Sequence, residues 1–160
     1  MKPLISNIVT GITGSDASIS AAKYAIVMAK SYNCKLTMVY VVDTATIKQL
    51  TLSKIFIQEE SLEYEKSLEI NGQRYLSFME ELAHAKGVTI EKEIRKGAVC
   101  TEILAVAEER RADLIVMGGW EKDRSARDII GHAHLEIMFN AKCPVLVVKE
   151  PDIDIIYKQA

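Results

Sequence analysis

The sequence predicts one α/β domain built on a parallel sheet, and three observations predict it. Apolar runs of strand length alternate with segments of helical periodicity along the chain. Four of the five runs are almost uninterrupted in their hydrophobicity, the pattern of strands covered on both faces. The 160 residues suffice for one well-buried core and are too few for two comfortable ones.

Ile8–Ile12 reads as the first strand. Behind it Ala21, Ala25, Met28, Ala29 and Tyr32 share one helical stripe, with Ser18 or Ser20 offering an N-cap oxygen, so a crossover helix leads to a second strand at Leu36–Val42. Asp43–Glu60 is long for a connection and mixes Thr, Lys and Gln with Ile47, Leu50, Leu52, Ile55, Phe56 and Ile57. It reads either as a mobile lid or as an extended start to the second helix. That helix carries Leu68, Tyr75, Leu76, Met79, Leu82 and Ala83 on one stripe, and Gly87 ends it in a C-cap role. In the third strand, Val88–Ile94, apolar Val88, Ile90 and Ile94 alternate with Thr89, Glu91 and Glu93, which predicts an edge position with one wetter face. Val99, Ile103, Leu104 and Ala107 mark a third helix, Leu114–Met117 a fourth strand, Leu135, Met138 and Phe139 a fourth helix, and Val145–Val148 a fifth strand. Each helix is expected to bury its stripe against the sheet. Residues 1–150 form the domain on this reading, and 151–160 a C-terminal tail whose Ile153, Ile155, Ile156 and Tyr157 dock on the domain or on a partner.

Composition narrows the function classes. A net charge of −2 with acids and bases interleaved leaves no broad positive footprint for nucleic acid or an anionic membrane. No apolar run approaches the roughly 20 residues that span a bilayer, and Met1–Ser6 leads directly into a strand pattern rather than a signal-peptide core, so a cytoplasmic protein is expected. Cys34, Cys100 and Cys143 are odd in number and far apart, without zinc or CxxC spacing. They read as packed thiols, Cys143 before Pro144 included.

In an open doubly wound sheet a ligand binds beyond the carboxyl ends of the strands, where strand order reverses. Two loops after strands have permissive backbone, Thr13-Gly14-Ser15 and Gly118-Gly119, and Gly131 is placed to open a helix with free amides towards an anion. These suggest a phosphate or nucleotide cleft, although glycines in such loops also serve the turn alone. Neither a Walker lysine motif nor GxGxxG is present, which argues against a conventional nucleotide hydrolase. Ser15 and Asp16 read as helix caps, and no base and nucleophile pair is visible, so no enzyme is expected; slow ATP hydrolysis is the remaining catalytic alternative.

The run Ala112-Asp113-Leu114-Ile115-Val116-Met117-Gly118, then Ile129-Ile130-Gly131, then Ala141-Lys142-Cys143-Pro144-Val145-Leu146-Val147-Val148 resembles the universal stress protein family in order and spacing. Ile8–Ser15 with its Ala-rich helix, and Lys96-Gly97 before the third helix, extend the resemblance across nearly the whole chain. It implies a three-layer, doubly wound, flavodoxin-like domain of the adenine nucleotide alpha hydrolase-like type, with five parallel strands in the order 3-2-1-4-5. It also implies a homodimer through the fifth strand, Val145, Leu146, Val147 and Val148, an apolar edge that would be an aggregation hazard if left bare. Shielding by the C-terminal tail is the alternative.

ATP-binding members of this family carry Gly-x-x-Gly, nine residues, then Gly-Ser or Gly-Thr. Gly118 and Gly131 match the first and third glycines, but Glu121 stands at the second and His132 at the hydroxyl position. Thr13 replaces the aspartate that usually ends the first strand. Glu121 adds a Cβ and a carboxylate near the expected phosphates; Thr13 offers one hydroxyl in place of a two-oxygen acceptor. His132 can donate to a phosphate, and Lys122, Arg124 or Arg127 can offset the carboxylate, although basic residues there also suit a solvated loop. His132 and His134 read as capping or packing residues rather than a metal pair, and Trp120 as a cover for the end of the sheet or a base-stacking ring.

The expected nucleotide contacts are Ile12, Thr13, Val41, Met117, Gly118, Glu121, Gly131, His132 and Ala133. The favoured expectation is a dimeric stress-response module with a degenerate adenine-nucleotide site that acts on a protein partner. The alternative is a sensor that binds ATP, AMP or another adenine nucleotide, with Mg, through a remodelled phosphate loop.

Overall fold

In the computed structural model, which describes residues 2–119 and 133–160, the apolar runs become β1 (Asn7–Ile12), β2 (Lys35–Asp43), β3 (Ile90–Gly97), β4 (Leu114–Gly118) and β5 (Val145–Val148). All pair in parallel, in the order β3-β2-β1-β4-β5. The period-two geometry of a strand divides their side chains between two cores. Ile8, Ile12, Leu36, Met38, Tyr40, Val42, Leu114 and Val116 face one side, and Val9, Val39, Ile115 and Met117 the other. The near-continuous hydrophobicity of the inner strands follows from the presence of a helical layer on each face.

The first face is covered by α1 (Asp16–Tyr32) and α3 (Gln58–His84), and the second by α4 (Val99–Glu109) and a helical stretch at 133–140, here α5. Helix α1 buries Ile26 together with Ala21, Ala22, Ala25 and Ala29, and the small alanine side chains admit close approach to the sheet. Tyr32, expected on that stripe, is exposed in the last turn. The N-cap is Ser15, as its capping reading expects, and not Ser18 or Ser20: its Oγ accepts from the Ser18 amide at 3.1 Å.

Asp43–Glu60 is not an extended start to the second helix, because its first half forms a helix of its own. Asp43 caps a separate helix, α2 (Thr44–Leu52), and a turn then leads into α3 at Gln58. At the far end of α3 the cap residue is Ala85; Gly87 lies two positions on with φ of 74°, and the Val88 amide donates to the Ala83 carbonyl. That turn consumes Val88, so β3 starts at Ile90. The strand lies at the sheet edge, with Glu91 and Lys92 exposed and Arg95 bridging Glu93 and Glu109.

Helix α5 overturns its expected stripe. Leu135, Met138 and Phe139 are exposed, while Ile137 is buried, with Ala141 packed beside it. The inward face is the i, i+4 series Ala133, Ile137 and Ala141, in which alanines give little hydrophobic signal. The C-terminal segment forms α6 (Ile153–Gln159), docked on the chain's own α1 and α3. Lys23 pairs with Asp154 at 2.6 Å, Lys30 Nζ donates to the Ala160 carbonyl at 3.0 Å, and the Tyr157 hydroxyl donates to the Leu82 carbonyl at 2.7 Å. No described strand pairs with the outer edge of β5. No helix among the described residues is long and apolar enough to cross a membrane.

Candidate functional site

Strand order reverses between β1 and β4, and a cavity of about 500 Å³ opens beyond the carboxyl ends of β1, β2 and β4. Ile12 and Thr13, then Tyr40, Val41 and Asp43, and then Met117 and Gly118 come from the strand ends. Helix α2 contributes Thr46, Ile47 and Leu50, α3 Tyr64 and Leu68, α4 Val99, Cys100 and Ile103, and α5 Ala133, His134, Glu136 and Ile137. The lining is largely apolar, with few polar groups, and the volume lies within the range of small-molecule sites.

Local hydrogen bonding fixes the loop after β1. The Thr13 amide donates to Ser18 Oγ at 2.8 Å, the Thr13 and Ser15 hydroxyls meet at 2.9 Å, and the Ser15 amide donates to Thr13 Oγ1 at 3.3 Å. Ser18 is therefore a loop anchor, and the Thr13 hydroxyl already serves its own turn. At the end of β4, Gly118 leaves room for the backbone of α1: a Cβ there would meet the Ala17 carbonyl oxygen at 2.5 Å. His134 Nε2 lies 2.6 Å from the Gly118 carbonyl, a distance at which the ring N–H donates and ties α5 to the strand end.

On the β2 side, Asp43 Oδ1 accepts from the Thr46 amide at 3.0 Å and Oδ2 from the Thr46 hydroxyl at 2.7 Å. The Tyr40 ring stacks on Tyr75 with centroids 6.3 Å apart. Burial, then the neighbouring Tyr75 and Tyr64 hydroxyls, push the Tyr40 phenol above its ordinary pKa, so it remains a proton donor at neutral pH. Burial, then Glu136, raises the Cys100 thiol, and burial is also the largest cause for Cys34 and Cys143. All three thiols are thereby held away from the reactive thiolate form. Asp43 and Glu136 are the charged side chains among the described lining residues; no Lys or Arg is among them. No described cluster of three or more His, Cys, Asp or Glu side chains is arranged to hold a metal ion.

Of the residues singled out from the sequence, Ile12, Thr13, Val41, Met117, Gly118 and Ala133 line this cavity. Glu121, Gly131 and His132, with Trp120, Lys122, Arg124 and Arg127, lie outside the described residues. Sequence reasoning missed Asp43, Thr46, Ile47, Leu50 and Tyr64 as lining groups. The available signal was Asp43-x-x-Thr46 before an apolar periodic stretch, an N-cap pattern that closes a strand and starts a roofing helix.

Comparison with known proteins agrees with this architecture. The universal stress protein family model matches residues 5–149. A universal stress protein of Methanocaldococcus jannaschii is 38% identical over 148 residues, spanning 92% of this chain and 84% of its own. Among solved structures, universal stress protein UspA of Lactobacillus plantarum superposes with a TM-score of 0.74 at 22% identity, covering 92% of this chain and all of that one. A universal stress protein in complex with cAMP gives a TM-score of 0.58 at 23% identity over 90% of this chain and 96% of that one. One from Archaeoglobus fulgidus in complex with dAMP gives 0.61 at 16% identity, over 92% of this chain and 100% of that one.

Proposed function

The chain belongs to the universal stress protein family, and on that premise we propose that it is a non-catalytic, dimeric regulatory module whose cavity takes an adenine nucleoside monophosphate. The observation that carries this reading is the open, largely apolar cavity of about 500 Å³ at the strand-order reversal. A purine ring suits the space between Val41, Ile47, Leu50 and Tyr64, and the Asp43 carboxylate, whose oxygens each keep a second lone pair beyond the bond to Thr46, is offered to the ribose hydroxyls. Related folds in complex with cAMP and dAMP lend support, because both ligands carry a single phosphate.

The same walls argue against ATP as the preferred ligand. Asp43 and Glu136 oppose each added phosphate charge, and no cation on the described walls offsets them. Glu121 adds to this in the sequence, and compensation falls to Lys122, Arg124 and Arg127. The outer edge of β5, with which no described strand pairs and where Val145, Leu146 and Val147 are only partly buried, supports pairing with a second copy of that strand. Isothermal titration of the purified chain with adenosine, AMP, cAMP, ADP and ATP with Mg²⁺ tests the ligand. AMP and cAMP are expected to bind at roughly micromolar Kd, and ATP no more tightly. Silence towards every adenine compound, or affinity that climbs with each added phosphate, would overturn the reading.

A further inference from the structure

The turn joining α2 to α3, with the adjoining ends of both helices, carries four large aliphatic side chains within eleven residues, all mostly exposed: Leu52 at 75%, Ile55 at 65%, Ile57 at 60% and Leu62 at 61%. Such a concentration at one helical tip marks a docking surface. The inner face of α2 is already used, since Ile47 and Leu50 line the cavity, so these groups have no place inside the domain. The charges around them are also unspent. Lys48 and Lys54 on one limb, and Glu59, Glu60 and Glu63 on the other, are exposed and form no ion pair among the described residues. Elsewhere on the same surface Lys96 bridges Glu65 and Glu69, and Lys92 meets Glu80.

We propose that this tip is a two-fold interface with a second copy of the chain, separate from the β5 edge. An isologous contact presents one patch to itself, so it needs both signs of charge on that patch, with the positive limb of one copy facing the negative limb of the other. Positive α2 beside the negative start of α3 provides this arrangement around an apolar centre. A uniformly acidic or basic partner would match one limb and be repelled by the other. An anionic lipid surface would meet three carboxylates.

Sedimentation velocity on the full chain tests the interface with two charge-reversed variants, Lys48→Glu/Lys54→Glu and Glu60→Lys/Glu63→Lys. All four positions are exposed, and circular dichroism confirms that each variant folds. The wild type is expected at twice the assembly mass of either variant where the tip is the one contact, and at least twice where β5 pairs as well. An equimolar mixture of the two variants, one wholly acidic at the tip and the other basic but for Glu59, is expected to regain the wild-type mass. Equal masses for wild type and variants would overturn the proposal. So would halved masses that mixing does not restore, or cosedimentation of the wild type with phosphatidylglycerol vesicles at unchanged mass, which would assign the tip to lipid.

Discussion

The Asp43 carboxylate caps α2 through both oxygens while it lines the cavity wall, and two substitutions separate these duties. Asp43→Ser keeps a capping oxygen and removes the charge; Asp43→Ala removes both. Chemical denaturation should show Asp43→Ala destabilised by about 1 kcal/mol and Asp43→Ser close to wild type. AMP affinity should fall in both, and a serine variant that binds AMP as well as wild type would remove Asp43 from recognition. A second residue-scale constraint is Gly72, inside α3 where glycine costs about 1 kcal/mol relative to alanine. A Cβ there would collide with the Tyr40 ring, so Gly72→Ala should destabilise the protein by roughly 1–3 kcal/mol. A stability gain in urea unfolding, the outcome helix propensity alone predicts, would contradict the packing argument. Neither constraint is legible from composition, because each depends on a neighbour more than twenty residues away or on a helix boundary invisible to hydrophobicity.

Among the elements, α6 shows how a polar contact can hold a segment too short to be helical alone. The hydrogen bond and charge of Lys23 hold the Asp154 carboxyl below its ordinary pKa. A lowered folded-state pKa means that the pair contributes fully above the ordinary Asp value of about 3.9. That contribution is lost as pH falls through the lower folded value. Acidification through that window should therefore lower the amide protection factors of α6, taken relative to the slower intrinsic exchange in acid, before the sheet opens, and Lys23→Met should abolish this step. Protection in α6 that ignores both pH and Lys23 would mean that Tyr157, Lys30 and the buried Ile153 hold it without the ion pair. Elements differ in legibility for the same reason that α6 needs partners. The inner strands declare themselves because both faces are buried. Helix α5 does not, because its inward face is Ala133, Ile137 and Ala141 while its larger apolar side chains point outward. Helix α2 was obscured by apolar residues on both its cavity and exposed faces.

For the whole molecule, strand alternation made the parallel sheet legible and the glycine-bearing loops marked the ends of β1 and β4 as cavity walls, while the strand order that puts the reversal between them was implied by the family resemblance. The roof is built by α2 and α3, through contacts between distant segments that no local pattern encodes. On the proposed reading the cavity is the centre of function and its walls select a singly phosphorylated adenine ligand. The most direct test is an amide chemical-shift titration of the full chain with AMP. The account predicts saturable shifts concentrated at Ile12, Thr13, Val41, Asp43 and Gly118. No shifts at millimolar AMP, or saturable shifts confined to residues away from these strand ends, would contradict it.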